Sequence, residues 1–322
     1  MPIINKSTYP GAPWYQFNGH LQTILPTSFR KISDVNYERE RLELSDGDFL
    51  DLDWLDAGSN ELVILSHGLE SNSDRTYIKG MAKFFRDQHW DVLAWNCRSC
   101  SGEINRNFRL YYHGDAEDIE SVINHAIQTK NYKRIVLIGF SMGGNMTLKY
   151  AGLKGKEIPD NISHALAFST PCDLKACIEE VSKPQNRFYS WYFLRKLRRK
   201  IAAKAAQFPD KLDITNLEKI NTWAEFDTRF SAPLNGLSSA EEFYYEASSK
   251  NFMAGTTIPT LVVNAVNDPM LEERSSPLEL ARNHPHLHLE VTKTGGHVGF
   301  AIPRKDHFWS ETRAWEFCHT TI

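Results

Sequence analysis

Gly139-Phe140-Ser141-Met142-Gly143 says most about how this chain folds, because of the residues on either side of it. An apolar, β-branched run at residues 134–138 precedes it, and a helix-compatible run at residues 144–151 follows it. A strand, Gly-x-Ser-x-Gly and a helix in this order are typical of a nucleophile elbow, a sharp turn that exposes the serine hydroxyl above a sheet. Glycines on both flanks remove side chains that would collide in such a turn. The pattern predicts that Ser141 is a nucleophile; a serine that caps a helix is the alternative.

A serine nucleophile needs a base and an acid that orients the base. In a fold with a nucleophile elbow, the acid comes next along the chain and the histidine last. Asp268 stands in the turn after residues 260–265, whose apolar run predicts a buried strand. His297 lies in a glycine-rich loop after residues 288–292, which alternate as a strand does. Order and spacing predict the triad Ser141, Asp268 and His297; the alternatives are an Asx turn for the acid and a satisfied surface histidine for the base.

Acyl transfer also needs hydrogen-bond donors for the oxyanion of the tetrahedral intermediate. Residues 62–66 predict a short buried strand, and His67-Gly68-Leu69-Glu70 follows it. In this kind of fold the loop after an early strand supplies one oxyanion amide, and the residue after the nucleophile supplies the other. We therefore predict an oxyanion hole made of the backbone N–H groups of Leu69 and Met142, with His67 bracing the loop.

The composition excludes several classes of protein. A hydrophobic content of 41% and a charged fraction of 24% indicate a large folded core rather than disorder. The net charge of −3 produces no field that would favour nucleic acid as a partner. No stretch is as long and apolar as a membrane span, and the first residues lack the apolar core of a secretory signal. Together with five cysteines, an odd number, these features predict a cytoplasmic protein.

Strand and helix signals alternate along most of the chain, which predicts an α/β fold with a mostly parallel central sheet flanked by helices. Residues 37–56 alternate like a two-stranded hairpin, and residues 1–36 are expected to be irregular and packed against the body. We expect residues 1–174 and 255–322 to form the core. Residues 175–254 lack strand signals, and we expect them to form a helical cap inserted after the sixth strand.

The expected cap contains an aromatic run, residues 188–194, followed directly by a basic run, residues 195–200. The aromatics predict an apolar acyl chain in the pocket below. Aromatic and basic residues on one helix could also make weak contact with a membrane surface that carries anionic lipids. The simpler interpretation is an ordinary cap helix whose apolar face covers the pocket and whose charges are solvated.

The sequence offers no convincing site for a metal or another cofactor. The acidic residues at 115–118 begin a predicted helix, where they can interact favourably with its dipole. The histidines within residues 284–288 alternate along a predicted strand, which we expect to have a solvated edge. Neither run makes a metal-ligand set. The triad chemistry needs no cofactor.

Four motifs spread over the chain belong together. They are Asn18-Gly19-His20-Leu21-Gln22-Thr23-Ile24, His67-Gly68-Leu69-Glu70, Gly139-Phe140-Ser141-Met142-Gly143-Gly144-Asn145 and Gly295-Gly296-His297-Val298-Gly299-Phe300. In combination they resemble the YheT-like branch of the α/β-hydrolases, from about residue 14 to residue 317. The resemblance implies an α/β-hydrolase fold and a serine esterase or lipase, with Ser141, Asp268 and His297 as the charge-relay residues. Ser99 stands where the family usually has glycine.

These features predict a serine hydrolase that cleaves carboxylic esters, with short- to medium-chain acyl groups or lipids as substrates, through an acyl-enzyme. The oligomeric state stays open. One alternative is an alcohol O-acyltransferase, because water and an alcohol compete for the same acyl-enzyme and the resemblance includes such enzymes. Another is a non-catalytic ligand-binding protein on a hydrolase fold, although a complete triad and oxyanion hole argue against it.

Overall fold

A sheet of nine strands organises the chain, in a computed structural model that describes residues 3–319. The strands are β1 (Ile3–Ile4), β2 (Glu38–Glu43), β3 (Phe49–Leu55), β4 (Glu61–Ser66), β5 (Asp91–Asn96), β6 (Arg134–Phe140), β7 (Ile162–Phe168), β8 (Thr260–Ala265) and β9 (Leu287–Thr292). Their order across the sheet is β1-β9-β8-β7-β6-β4-β5-β3-β2. Strand β3 runs antiparallel to both of its neighbours, and the other pairs are parallel. The predicted α/β fold with a mostly parallel sheet is confirmed.

Helices cover both faces of this sheet. They are α1 (Gly19–Phe29), α2 (Thr76–Asp87), α3 (Ala116–Thr129), α4 (Met142–Lys154), α5 (Leu174–Val181), α6 (Arg187–Gln207), α7 (Trp223–Phe226), α8 (Ala232–Leu234), α9 (Ala240–Ala247), α10 (Leu278–Asn283) and α11 (Trp309–His319). Buried side chains of α2 and α11 pack in one hydrophobic cluster, and those of α3 and α4 pack in another.

Strand β4 shows why the central strands read as continuous apolar runs. Val63 and Leu65 point into the cluster with α2 and α11, whereas Leu62 and Ile64 point into the cluster with α3 and α4. All four are fully buried, because helices lie on both sides of the sheet. Burial of each such side chain contributes roughly 1.5–3 kcal/mol. Strand β4 is therefore held firmly in the sheet, and it fixes the position from which the loop at its carboxyl end begins.

The expectation of irregular structure before the hairpin is wrong for Gly19–Phe29, which form helix α1. The side chain of Asn18 caps this helix by accepting a hydrogen bond from the N–H of Leu21 at 2.9 Å. Its buried residues are Gln22, Thr23 and Pro26. Because this buried face is largely polar and includes a proline, the segment lacks the apolar periodicity that predicts a helix.

The segment between β7 and β8 contains helices and, within residues 169–259, no strand. The sequence pattern places this segment after the sixth strand, but the structure places it after the seventh. The difference is β1, which has only two residues and pairs with β9.

Within residues 3–319, no helix is long and apolar enough to cross a membrane.

Candidate active site

The turn between β6 and α4 holds Ser141 in a strained conformation, with φ of 54° and ψ of −120°. Its backbone N–H donates to the carbonyl oxygen of Phe168 on β7 at 2.9 Å. The turn needs glycine at 143, because a Cβ there would lie 2.3 Å from the carbonyl oxygen of Ser66. Strain of this kind is found where the surrounding structure holds a residue for function. The hydroxyl of Ser141 is thereby presented at the carboxyl edge of the sheet.

The structure brings the three predicted triad residues into one hydrogen-bonded chain. Ser141 Oγ lies 2.9 Å from His297 Nε2, and His297 Nδ1 lies 2.8 Å from Asp268 Oδ2. The other oxygen of Asp268 accepts from the N–H of Met270 at 2.8 Å. The carboxylate therefore favours the tautomer with hydrogen on Nδ1, which leaves Nε2 free to accept the serine proton. Asp268 and His297 are both buried.

The two residues whose backbone amides are predicted to form the oxyanion hole, Leu69 and Met142, both belong to segments next to Ser141. The loop after β4 comes so close that a Cβ on Gly68 would be 3.2 Å from the Cβ of Ser141. Leu69, the next residue, borders the same cavity as Ser141. Met142 begins α4, and N–H groups in the first turn of a helix have no partner within that helix. The side chain of Ser141 does not cap them.

His67 supports the oxyanion loop from below. Its Nε2 accepts a hydrogen bond from the N–H of Cys97 at 3.1 Å, so Nδ1 carries the hydrogen and donates to the carbonyl of Gly68 at 2.7 Å. Burial lowers the pKa of His67 to about 4. The ring is therefore neutral and acts as a brace, which agrees with the sequence-based interpretation.

Helix α1 holds the loops that carry the acid and the base, and residue patterns alone did not reveal this. Thr23 Oγ1 accepts from the N–H of His297 at 2.9 Å. Gln22 Oε1 accepts from the N–H of Gly295 at 2.8 Å and from Asn267 Nδ2 at 2.9 Å. One glutamine oxygen thus ties together the loop after β8 and the loop after β9.

The contact between α1 and the acid loop is too close for any side chain at position 19. A Cβ on Gly19 would lie 1.8 Å from the carbonyl oxygen of Asn267. The motif at residues 18–24 is thus explained by close approach and by hydrogen bonds to distant loops. The only available signal was the motif itself, since its partners lie more than 200 residues away.

A cavity of about 530 Å³ opens beside Ser141 and His297. Its apolar wall includes Ile24, Phe188, Tyr189, Tyr192, Phe193 and Met270. Trp191 lines a neighbouring groove of about 940 Å³, which shares Phe188 with the cavity but whose lining includes neither Ser141 nor His297. The aromatic run at the start of α6 therefore divides between two surfaces.

The expectation that the charges of the basic run are simply solvated is wrong for several residues of α6. Lys196 donates to the backbone carbonyl of Glu70, and Lys200 forms an ion pair with its carboxylate at 2.8 Å. Arg198 donates to the carbonyl of Ile220 at 2.9 Å. Lys204, one turn beyond the basic run, is fully buried. These cations attach α6 to the rest of the protein, whereas Arg195 and Arg199 of the same run are exposed.

The acidic residues at 115–118 stand at the start of α3, as expected, with Glu117 and Asp118 in its first turn, and two of them also form ion pairs. Asp118 forms a buried ion pair with Arg98 at 2.8 Å, and Asp115 pairs with Arg109. These carboxylates therefore belong to ion pairs that anchor the preceding loops. In the part of the chain that the structure describes, no group of three or more His, Cys, Asp or Glu could hold a metal ion.

The predicted solvated edge at the histidine-rich strand is wrong. Strand β9 pairs with β1 on one side and β8 on the other, and His288 is buried. The sequence gives no warning of this, because the pairing strand β1 consists of only two residues.

Ser99, at the position where the resemblance leads us to expect glycine, has a backbone conformation that favours glycine. Its φ is 63°, in the left-handed region. The serine hydroxyl donates to Asn105 Oδ1 at 2.6 Å and accepts from the N–H of Asn105 at 3.1 Å. These two hydrogen bonds stabilise the left-handed conformation of Ser99.

Comparisons with known proteins place the chain among the α/β-hydrolases. The sequence profile of the α/β-hydrolase fold family matches residues 61–302. The YheT protein of Escherichia coli K12, which is named as an esterase, is 31% identical over 92% of this chain and 88% of its own length. Human phospholipase ABHD3 is 28% identical over 93% of this chain and 75% of its own. The solved structure of the Pyrococcus furiosus esterase Pf2001 covers 89% of this chain and 95% of its own with a TM-score of 0.58; at 19% identity, it shows likeness of fold alone.

Proposed function

The chain belongs to the YheT-like branch of the α/β-hydrolase family, and we propose that it cleaves carboxylic esters with Ser141, His297 and Asp268 as its catalytic triad. The observation that carries the proposal is the continuous hydrogen-bonded chain from the serine hydroxyl through both ring nitrogens of the histidine to the carboxylate. Relatives named as an esterase and a phospholipase support ester hydrolysis as the reaction.

In the first half of the reaction, His297 Nε2 takes the proton of the Ser141 hydroxyl while Oγ attacks the ester carbonyl carbon. The carbonyl oxygen becomes an oxyanion, and the N–H groups of Leu69 and Met142 donate to it. Asp268 stabilises the imidazolium that forms. The intermediate collapses when the imidazolium gives its proton to the leaving alcohol, which leaves an acyl group on Ser141.

In the second half, water takes the place of the alcohol. His297 removes a proton from the water, which attacks the acyl carbonyl, and the same two amides hold the second oxyanion. Collapse returns the proton to Ser141 and releases a carboxylic acid. Because an alcohol could replace the water at this step, product analysis with added ethanol or glycerol separates hydrolysis from acyl transfer.

We also propose that residues 175–254 form a cap over the site and that the acyl chain lies along its aromatic side chains. The support comes from α6, which contributes Phe188, Tyr192 and Phe193 to the wall of the cavity beside Ser141. A wall of this kind favours an apolar acyl chain over a charged one. The expected substrates are esters or lipids with short to medium acyl chains.

The proposal is tested with p-nitrophenyl esters from acetate to decanoate and with a fluorophosphonate probe. We expect turnover by the unmodified protein and labelling of Ser141, located by peptide mass spectrometry. Ser141→Ala should lose both, whereas Ser121→Ala should keep both, because Ser121 lies on α3, outside the lining of the cavity, and its hydroxyl donates to the carbonyl of Glu117.

Asp268→Asn tests the acid separately. The amide can still accept from the N–H of Met270, but it no longer stabilises an imidazolium, so turnover should fall by a large factor, although by less than in Ser141→Ala. Near-normal turnover of purified Ser141→Ala, or a probe adduct on another residue, would contradict the mechanism. A silent Asp268→Asn would mean that another acid orients His297.

A further inference from the structure

The residue that follows Leu69 in the oxyanion loop is itself strained. Glu70 has a φ of 52°, in the left-handed region that side chains other than glycine seldom adopt. It is buried, with 7% of its surface exposed. A conformation of this kind persists only where surrounding contacts hold it. The contacts of Glu70 are therefore informative about what the loop has to do.

Tyr111 holds both the backbone and the side chain of Glu70. Its hydroxyl accepts from the N–H of Glu70 at 3.0 Å and donates to Glu70 Oε1 at 2.6 Å. Because one hydroxyl makes both bonds, it fixes the carboxylate relative to the backbone. Tyr111 is buried, so water does not compete for these bonds.

Helix α6 supplies two further contacts. Lys200 forms an ion pair with Glu70 Oε1 at 2.8 Å, and the two side chains are 13% and 3% exposed. Lys196, one turn earlier, donates to the backbone carbonyl of Glu70. We call Glu70, Tyr111, Lys196 and Lys200 the Glu70 clasp. The same helix also contributes Tyr192 to the wall of the cavity.

Leu69 thus lies between two anchored residues. On one side, His67 Nδ1 bonds the carbonyl of Gly68, which shares a peptide plane with the N–H of Leu69. On the other side, the clasp holds Glu70. We infer that the Glu70 clasp positions the N–H of Leu69 for the oxyanion, so that helix α6 controls the rate of the chemical step as well as the shape of the acyl wall. The inference rests on the proposed function.

Glu70 is a positioning residue in this scheme, because it acts through Leu69. Removal of a whole oxyanion donor costs about 10²- to 10³-fold in kcat, so partial misplacement should cost roughly 10- to 100-fold. Every ester forms the same oxyanion, so the loss should be equal for all acyl lengths. Changes in the acyl wall should instead act mainly on longer chains. This difference separates the clasp from a role in lining the cavity.

The test uses Lys200→Met, Glu70→Gln and the double variant, with p-nitrophenyl acetate and decanoate as substrates. We expect kcat to fall by roughly 10- to 100-fold on both esters in Lys200→Met, with KM changed by less than about threefold. A trifluoromethyl ketone, whose adduct with Ser141 places an oxyanion in the hole, should bind more weakly by a similar factor. The double variant should lose less than the two single losses multiplied, because it leaves no unpaired buried charge.

Lys204→Met is the matched control. Lys204 is also on α6 and is more deeply buried, but its Nζ donates to the carbonyl oxygens of Asn105 and Asn107 at 2.6 and 2.7 Å. Its loss should lower the melting temperature while kcat and inhibitor affinity stay near those of the unmodified protein. Lys200→Arg keeps the charge and should restore kcat to within about threefold.

The inference is overturned if folded Lys200→Met and Glu70→Gln match Lys204→Met in kcat and inhibitor affinity. If Lys200→Met does not fold, Glu70→Gln alone decides in the same way. A loss of kcat confined to the decanoate ester would also overturn the inference, because such a loss would mean that α6 acts only through the wall of the acyl cavity. Absence of turnover and of fluorophosphonate labelling in the unmodified protein would instead overturn the proposed function, and the inference with it.

Discussion

The hydroxyl of Thr23 accepts a hydrogen bond from the backbone N–H of His297 at 2.9 Å, across 274 residues of sequence. Beside it, Gln22 accepts from Gly295 and from Asn267, which precedes the acid of the proposed triad. Helix α1 therefore brackets the loops of the acid and the base without contributing a reacting atom. We therefore expect the alignment of the proposed triad to depend on this bracket.

Loss of the hydrogen bonds that either Thr23 or Gln22 makes to these loops should slow the reaction more than it weakens substrate binding. Thr23→Val and Gln22→Leu each remove an acceptor, and a hydrogen bond contributes about 1 kcal/mol, so kcat should fall roughly five- to tenfold or more. Asn18→Ala is the control, because it removes the helix cap but no contact with the two loops. Steady-state kinetics and melting temperatures distinguish the cases. Equal kcat in Thr23→Val and Asn18→Ala would show that the bracket does not align the base.

The strain at Ser141 predicts an unusual order of stability. Ser141→Gly and Ser141→Ala should both lose about 10⁴-fold or more in turnover. Glycine usually destabilises a protein relative to alanine, but at a φ of 54° it relieves strain, so the glycine variant should be the more stable by about 1 kcal/mol. Urea unfolding of both variants measures the difference. Greater stability of Ser141→Ala would mean that the turn carries no strain.

The two surfaces of α6 predict different effects on acyl-chain preference. Phe193 lines the cavity beside Ser141, so Phe193→Ala should weaken turnover of decanoate esters more than that of acetate esters. Each buried methylene contributes about 0.8 kcal/mol to binding of the longer chain. Trp191 lies in the other groove, so Trp191→Ala should leave the decanoate-to-acetate ratio of kcat/KM unchanged. A ratio that falls equally in both variants would contradict this division.

Buried His67 predicts a loss of stability in mild acid. Burial lowers its pKa from 6.5 to about 4, so between these values the unfolded chain binds a proton that the folded chain does not. Above pH 6.5 this difference in proton binding does not change the free energy of unfolding. As the pH falls towards 4 the free energy of unfolding decreases, and at pH 5 it is lower by about 2 kcal/mol. In His67→Gln, the difference in unfolding free energy between pH 7.5 and pH 5 should shrink by that amount. An unchanged difference would show that His67 is not the group responsible.

Asp115 should act in the opposite direction. Burial, and next the charge of Asp118, raise its pKa to about 7, so the folded chain binds a proton more tightly than the unfolded chain. The stability that protonated Asp115 contributes to the folded protein is fully present below the ordinary carboxyl pKa and is lost as the pH rises through 7. Asp115 is present both in His67→Gln and in the unmodified protein, so its titration cancels when the two are compared. The remaining difference in pH dependence is due to the histidine.

The parts of the fold and site that the sequence predicts well are those with local signals. Strand β4 and the Ser141 turn are marked by apolar runs and glycines within a few residues, and Asp268 and His297 each follow a recognisable strand. Gln22 and Glu70 are different, because their roles depend on partners far away along the chain. Helix α6 shows the same limit: its lysines look like a solvated basic face until the fold places Glu70 beneath them. Hydrogen bonds between segments that are far apart along the chain produce no periodic pattern in the sequence, so the sequence alone does not predict them.

The site is assembled from both ends of the chain, and this has a consequence for the protein while it is being synthesised. The residues of the Ser141 turn and of β7, whose Phe168 accepts from the N–H of Ser141, are synthesised well before the loop after β9, which carries the proposed base. Until then, Thr23 has no His297 to hold, and the serine has no group to take its proton. We therefore expect a nascent chain that already carries Ser141 to be inert towards esters until the loop after β9, which carries His297, has been synthesised and has folded against α1.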